Sequence, residues 1–213
     1  MSRENIRAIQ TGLAALGYDI GKAGADGWFG NDTRRAAEAW LAAGGKPAPV
    51  VSEKPTDTPS TRTLIRQGSA RHQVEEIIVH CAATRPEWMA GRPLADKVAE
   101  IRRWHRANGW SDIGYHWIID RDGAIAPGRA ETVVGAHTAG RNSGTIGICL
   151  LGGHGSAETD NFGHHYTPAQ DEALRGLIAS IKLRTAIKRV SGHNEYAAKA
   201  CPGFNVPLWI KGN

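Results

Sequence analysis

Residues 44–63, GGKPAPVVSEKPTDTPSTRT, constrain this chain more than any other stretch. Four of its ten prolines fall there, with Ser and Thr between them and no aromatic residue. Such a composition buries little surface and favours an extended, semi-rigid connection. The chain therefore divides into a short segment (1–43), a linker (44–70) and a long segment (71–213).

In the short segment, Ile6, Ile9, Leu13 and Leu16 recur at helical spacing, and Gly17 stops that helix. A glycine-punctuated loop, Asp26-Gly27-Trp28-Phe29-Gly30, follows. Asn31 or Asp32 can cap a second helix with Ala36, Ala37 and Trp40 on its apolar face. A small all-α domain is expected.

The long segment alternates strand and helix patterns. VEEIIVH (74–80), GYHWIID (114–120) and GTIGICLL (144–151) read as strands, and 187–190 as a last short one. On the second, Tyr115, Trp117 and Ile119 are expected to share a face. Residues 94–108 place Leu94, Val98, Ile101 and Trp104 on one helical face, closed by Gly109. Thr167-Pro168-Ala169-Gln170 opens another helix, with a Thr cap, Pro at the first position and Gln at the third. The expected fold class is α/β, a central mixed sheet flanked by helices.

The net charge of +5 favours polyanionic partners, and a bacterial wall or a nucleic acid would both qualify. No run of five basic residues occurs, so no nucleic-acid partner is expected. No stretch approaches the ~20 apolar residues of a membrane span. The first residues, MSRENIRAIQTGLAALGYDIG, lack the apolar run of a secretory signal, so a cytoplasmic protein is expected.

Three cysteines argue against a disulfide framework. Cys149, in TIGICLL, reads as a small buried hydrophobe. Cys201 follows His193 in the loop sequence GHNEYAAKACPGF. A soft thiolate and an imidazole suit zinc, and a catalytic zinc takes three protein ligands. His80, where the strand run meets the loop CAATRP, is the candidate third ligand. Cys81 follows it, but successive strand residues face opposite sides and the thiol is the more easily buried. Among the other histidines, His116 reads as structural, and His72 and His105 as surface residues. His154, His164 and His165 crowd a polar loop that could hold a second metal. Trp88 could line a groove or close one.

Four stretches in order, IIVHCAATRP (77–86), GYHWIIDRDG (114–123), GAHTAGRNSGTIGICLLGG (135–153) and GHNEYAAKACPGF (192–204), resemble the type-2 N-acetylmuramoyl-L-alanine amidases. The resemblance is to the phage endolysin branch, related to peptidoglycan recognition proteins. DGWFGNDTRRAAEAW (26–40) resembles the helical peptidoglycan-binding module through Asp26, Gly27, Phe29, Gly30, Thr33 and Ala36. These resemblances imply a zinc-dependent endolysin that cuts the amide between N-acetylmuramic acid and L-alanine of the stem peptide. They imply His80, His193 and Cys201 as zinc ligands and Tyr115 and Lys199 as catalytic groups, with the acid–base division between the two left open. They also imply His137 and Thr84 at the substrate and Asp26, Trp28 and Phe29 at the wall. The recognition proteins that do not cut lack the cysteine, so Cys201 favours an enzyme. A non-catalytic wall-binding protein, or an amidase that also regulates a phage RNA polymerase, are the alternative readings. The implied protein is a monomer, with peptidoglycan as partner, held in the infected cytoplasm until it reaches the wall.

Overall fold

The computed structural model describes residues 3–21, 24–42 and 64–212, in two units, Met1–Pro59 and Ser60–Asn213. The expected linker residues 44–63 lie outside the described residues.

The first unit pairs helices α1 (Arg3–Ala15) and α2 (Asn31–Ala42). Leu13, Tyr18 and Ala36 form its buried core, with Leu16, Ala37 and Trp40 packed against them. Gly17, at φ +85°, ends α1, and the Tyr18 N–H returns to the Leu13 carbonyl at 2.9 Å. The expected apolar face needs one correction, because Ile9 is exposed and buried Gln10 takes the inward place. The 3.6-residue period puts Ile6, Gln10 and Leu13 on one stripe. The Gln10 amide then satisfies the loop that the helices enclose. Its Nε2 donates to Asp26 Oδ1, Trp28 O and Thr33 Oγ1 at 2.9, 3.0 and 2.9 Å. Its Oε1 accepts the Gly27 N–H at 2.8 Å.

The second unit has the expected α/β architecture. Its sheet contains β3 (Glu76–Cys81), β4 (Trp117–Ile119), β5 (Ile125–Pro127), β6 (Thr145–Leu150) and β7 (Arg189–Gly192), in the order β5-β4-β6-β3-β7. β3 runs parallel to β6 and β7, β4 parallel to β6, and β5 antiparallel to β4. β3 and β6 are buried throughout, as strands covered on both faces must be. On one face Ile77, Val79, Cys81, Ile146, Ile148 and Leu150 meet α4 (Phe162–His165), α5 (Pro168–Arg184) and α6 (Val206–Ile210) through Phe162, Leu174, Ile178, Ile181 and Trp209. On the other, Ile118 packs with Val98 and Ile101 of α3 (Leu94–Ala107) and with Ile113. Each buried Ile or Leu removes apolar surface worth ~1.5–3 kcal/mol. The expected start of α5 is present: Thr167 Oγ1 accepts the Gln170 N–H at 3.1 Å, and the Gln170 side chain accepts the Thr167 N–H at 3.2 Å.

Two boundaries differ from expectation. Residues 64–70, assigned to the linker by composition, belong to the folded unit. β1 (Arg66–Gln67) pairs antiparallel with β2 (His72–Gln73), and Gln67 is fully buried. Gln67 Nε2 donates to Thr145 O at 2.9 Å, and its Oε1 accepts the Gly144 N–H at 2.9 Å. The strand expected over 114–120 begins only at Trp117. The successive carbonyls of Tyr115 and His116 accept from the successive N–H groups of Arg129 and Gly128, both at 2.8 Å, and this departs from an alternating ladder. Tyr115 therefore leaves the strand and joins the Val98–Ile101–Ile113 cluster, while Trp117 and Ile119 face α5. The shared face expected for these three residues does not form.

Candidate metal centre and substrate groove

His80 sits on β3, paired in register with Cys149 of β6, and is fully buried. Alternation turns it away from Cys81, whose side chain joins the opposite core. His193 opens a short 3-10 turn, His193–Glu195, directly after β7. Glu195 Oε1 accepts the Gly192 N–H at 2.7 Å and pins that turn. The chain then loops back to Cys201. The Asn194 N–H donates to Cys201 O at 2.7 Å, and Tyr166 OH donates to Pro202 O at 2.6 Å. One potential ligand atom from each of His80, His193 and Cys201 lies within 4.8 Å of the others.

This donor set fits zinc. Zinc–nitrogen and zinc–sulfur bonds of ~2.0–2.3 Å in tetrahedral geometry put neighbouring ligand atoms roughly 3.5 Å apart. His80 Nδ1 lies 3.9 Å from Cys201 Sγ, and the His80 and His193 rings are centred 4.7 Å apart. Cys81 contributes its backbone, with its N–H donating to Cys201 Sγ at 3.2 Å. Burial, then the nearby His137, holds His80 well below the usual imidazole range. Burial and then Lys199 lower His193. Neutral imidazoles are what a metal requires. A side-chain hydrogen bond with the Cys81 thiol, then burial, raises the Cys201 thiol, while the Cys81 N–H pulls the other way. A bound cation reverses that preference and favours the thiolate.

A cavity of about 490 Å³ opens beside these ligands, lined by Tyr115, His137, Thr138, Asn142, His193 and Lys199 among others. The Tyr115 and His80 rings are centred 5.2 Å apart. Burial, then the cysteine sulfurs, pushes the Tyr115 phenol well above its usual range. Lys199 is exposed at the rim.

The other assignments divide. His105, expected on the surface, is buried. Its Nδ1 accepts the Gly114 N–H at 2.9 Å and its ring lies 5.1 Å from Tyr115, so it holds the turn that carries the tyrosine. A lone histidine on the polar end of a helix gives no sign of this. Arg129 was also missed. Its guanidinium donates to the carbonyls of Ile113, Val134 and Asp112 around the same turn. Thr84, expected at the substrate, is buried, and its hydroxyl accepts the Gly152 N–H at 2.9 Å, so the residue is spent on loop structure. Trp88 closes the core against Trp104, 5.1 Å between centroids, and does not line the groove. His116 is structural, with Nδ1 accepting the Gly147 N–H at 3.0 Å. Cys149 is fully buried. Among the described residues, His154, His164 and His165 do not gather as a metal set, and His165 bonds Asp160 at 2.7 Å.

In the first unit, the Asp26 carboxylate accepts from Gln10 and from the Trp28 N–H at 2.9 Å each. Those bonds, the backbone one first, lower its pKa and commit it to shaping the loop. Trp28 and Phe29 are exposed, and the Arg3 guanidinium lies 3.9 Å from the Trp28 ring centre.

The N-acetylmuramoyl-L-alanine amidase family matches residues 70–204, and the putative peptidoglycan binding domain matches residues 2–40. The endolysin of Escherichia phage T7 is 40% identical over 147 residues, which cover 69% of this chain and 92% of that protein. Among solved structures, the N-acetylmuramoyl-L-alanine amidase LysC from Clostridium intestinale is 28% identical with a TM-score of 0.51, over 64% of this chain and 80% of that one. PGRP-SA of the bumblebee is 25% identical with a TM-score of 0.54, over 73% and 89%. The ordered motifs, the sheet they build and this match across most of the second unit place the chain in the N-acetylmuramoyl-L-alanine amidase family of peptidoglycan hydrolases.

Proposed function

We propose that this protein is a zinc-dependent endolysin that cleaves the amide between N-acetylmuramic acid and L-alanine of the stem peptide. The observation that carries this reading is the gathering of His80, His193 and Cys201 beside a cavity also lined by Tyr115 and Lys199. Among the described residues no helix is long and apolar enough to cross a membrane. The naming of the phage T7 relative as an endolysin supports release from the infected cytoplasm to the wall as the setting.

The three ligands would hold zinc, which supplies Lewis acidity and lowers the pKa of a coordinated water to about 7. The remaining work falls to this chain. Amide hydrolysis develops negative charge on the carbonyl oxygen. The Lys199 ammonium and the Tyr115 hydroxyl are donors suited to that charge. The departing amine needs a proton, and the Tyr115 hydroxyl would pass one on. Trp28 and Phe29, exposed on a loop held by Gln10 and Asp26, would meet the wall. Two weak wall contacts joined in one chain raise the local concentration of the enzyme on its polymer.

Mass spectrometry of material released from isolated peptidoglycan tests this, with chelator and with zinc restored. Zinc-dependent release of stem peptides beginning at L-alanine, with intact glycan strands, is expected. Cut glycan or cut cross-bridges would overturn the assigned bond.

A further inference from the structure

His137 lies at the floor of the groove, but its surroundings are built for more than lining it. The ring is buried, and it contacts His80 from the side opposite Cys201. Two glycines make room for it. A Cβ at Gly147 would stand 2.6 Å from the His137 ring, and one at Gly135 would stand 2.5 Å from it. Asn142 Oδ1 fixes the backbone by accepting the N–H groups of His137 and Thr138 at 2.8 and 2.9 Å.

Resting on the zinc site proposed above, we propose that His137 and Thr145 are positioning residues that set the tautomer of His80. The argument starts at a carbonyl. Thr145 Oγ1 lies 2.7 Å from Arg141 O and 3.1 Å from Asn142 O. Carbonyl oxygens only accept, so the hydroxyl hydrogen is committed to them. Toward His137 Nε2, 3.3 Å away, the hydroxyl oxygen offers a lone pair. His137 therefore carries its proton on Nε2. A neutral imidazole has one N–H, which leaves His137 Nδ1 as an acceptor.

His80 Nε2 is 3.1 Å from that Nδ1. Two lone pairs cannot face each other at this distance, so His80 carries its proton on Nε2. Thr138 Oγ1, 3.1 Å from His137 Nδ1 and 3.4 Å from His80 Nε2, can serve as a second donor or acceptor without reversing the direction. His80 Nδ1, the nitrogen nearest Cys201 Sγ, is left bare. A backbone carbonyl thus dictates, through a hydroxyl and two imidazoles, which atom of His80 is offered to the metal. Partners behind a ligating histidine typically change metal affinity by about 10- to 100-fold.

The test reads nitrogen shifts of the ¹⁵N-labelled His80 ring in the full-length, zinc-free protein, then zinc affinity by competition with a chromophoric chelator. In the unmutated protein, a proton on His80 Nε2 is expected. A proton on Nδ1 overturns the proposal, whatever the variants do. In H137F a mixed tautomer and zinc binding weakened about 10- to 100-fold are expected. H137N, which can return an oxygen acceptor near the Nδ1 position, should recover most of the loss. A folded H137F with unchanged tautomer and unchanged zinc affinity overturns the proposal. T145V makes a smaller change and should loosen the tautomer even where H137F fails to fold; an unchanged His80 spectrum in T145V overturns it. If the unmutated protein holds no zinc, the metal-site reading fails, while the zinc-free spectrum still decides the tautomer.

Discussion

The Cys81 N–H donates to Cys201 Sγ at 3.2 Å, and the buried Cys81 thiol shares a side-chain hydrogen bond with the same sulfur. Neighbouring strand residues thus serve one site in two ways, His80 through its ring and Cys81 by its bonds to the Cys201 sulfur. In the proposed site His80 and Cys201 are ligands together with His193, and Cys81 is not one. C201S should therefore lose zinc and activity while the sheet stays folded. C81A should keep both and lose roughly 1 kcal/mol of stability, because it removes a buried thiol that partners Cys201 but leaves the N–H bond to that sulfur and the three ligands in place. Elemental analysis and activity of the two variants check this; equal zinc loss in both would sink the division of roles.

Lys199 is exposed at the cavity rim, and Tyr115 faces His80 without contributing a ligand atom to the cluster. K199M should lower kcat by about a hundred- to a thousand-fold with zinc content unchanged. Y115F, which keeps the ring and removes the hydroxyl, should lower it by about a hundred-fold or more. Steady-state kinetics beside metal content decide. Normal turnover in either variant removes that residue from the chemistry.

His105 and Arg129 act one step back, on the turn that carries Tyr115. H105L leaves the Gly114 N–H without its acceptor in a buried setting, at a cost of about 1–3 kcal/mol. H105N, which can return an oxygen acceptor near the Nδ1 position, should restore part of the stability and of kcat. Thermal melts paired with turnover separate this from a simple packing loss, which the amide would not repair.

The first unit hangs on Gln10. Q10L should strand the Gly27 N–H and loosen the 25–29 loop, costing about 1–3 kcal/mol. W28A and F29A, at exposed positions, should keep the module folded and weaken binding to purified sacculi on the order of tenfold. Sacculus pull-down with full-length chains measures both effects. Unchanged binding by W28A and F29A together would assign the wall contact elsewhere.

The start of the second unit can be located by deletion. Removing residues 1–63 should leave a stable amidase. Removing 1–70 takes away Gln67 and exposes the Gly144 and Thr145 groups it bonds, so the melting temperature should fall by several degrees.

Much of this was legible in the sequence, for identifiable reasons. The β-branched runs gave β3 and β6 because a doubly covered strand has little choice of composition. The Thr-Pro-Ala-Gln opening of α5 was readable because its capping bonds are local. His80 was preferred to Cys81 because alternation lets only one of the two face the site and a thiol is the more easily buried, and it is His80 that gathers with His193 and Cys201. What failed depended on long-range polar partners. Gln67 looked like linker because its bonds lie 77 and 78 residues away in the chain. Gln10 broke an apolar pattern to satisfy a loop on the far side of the module. His105 looked solvated because its partner, Gly114, carries no side chain to announce it. Thr84 sits within a matching motif, yet its hydroxyl is used inside the fold.

The cluster also has a mechanical meaning. His80 belongs to an interior strand, whereas His193 and Cys201 follow the edge strand β7. An ion held by all three would rivet that edge strand to its interior neighbour β3 and tether the C-terminal loop. Chelation would then do more than silence the chemistry. It would release that edge, and the amide hydrogens of 189–192 would exchange with solvent first.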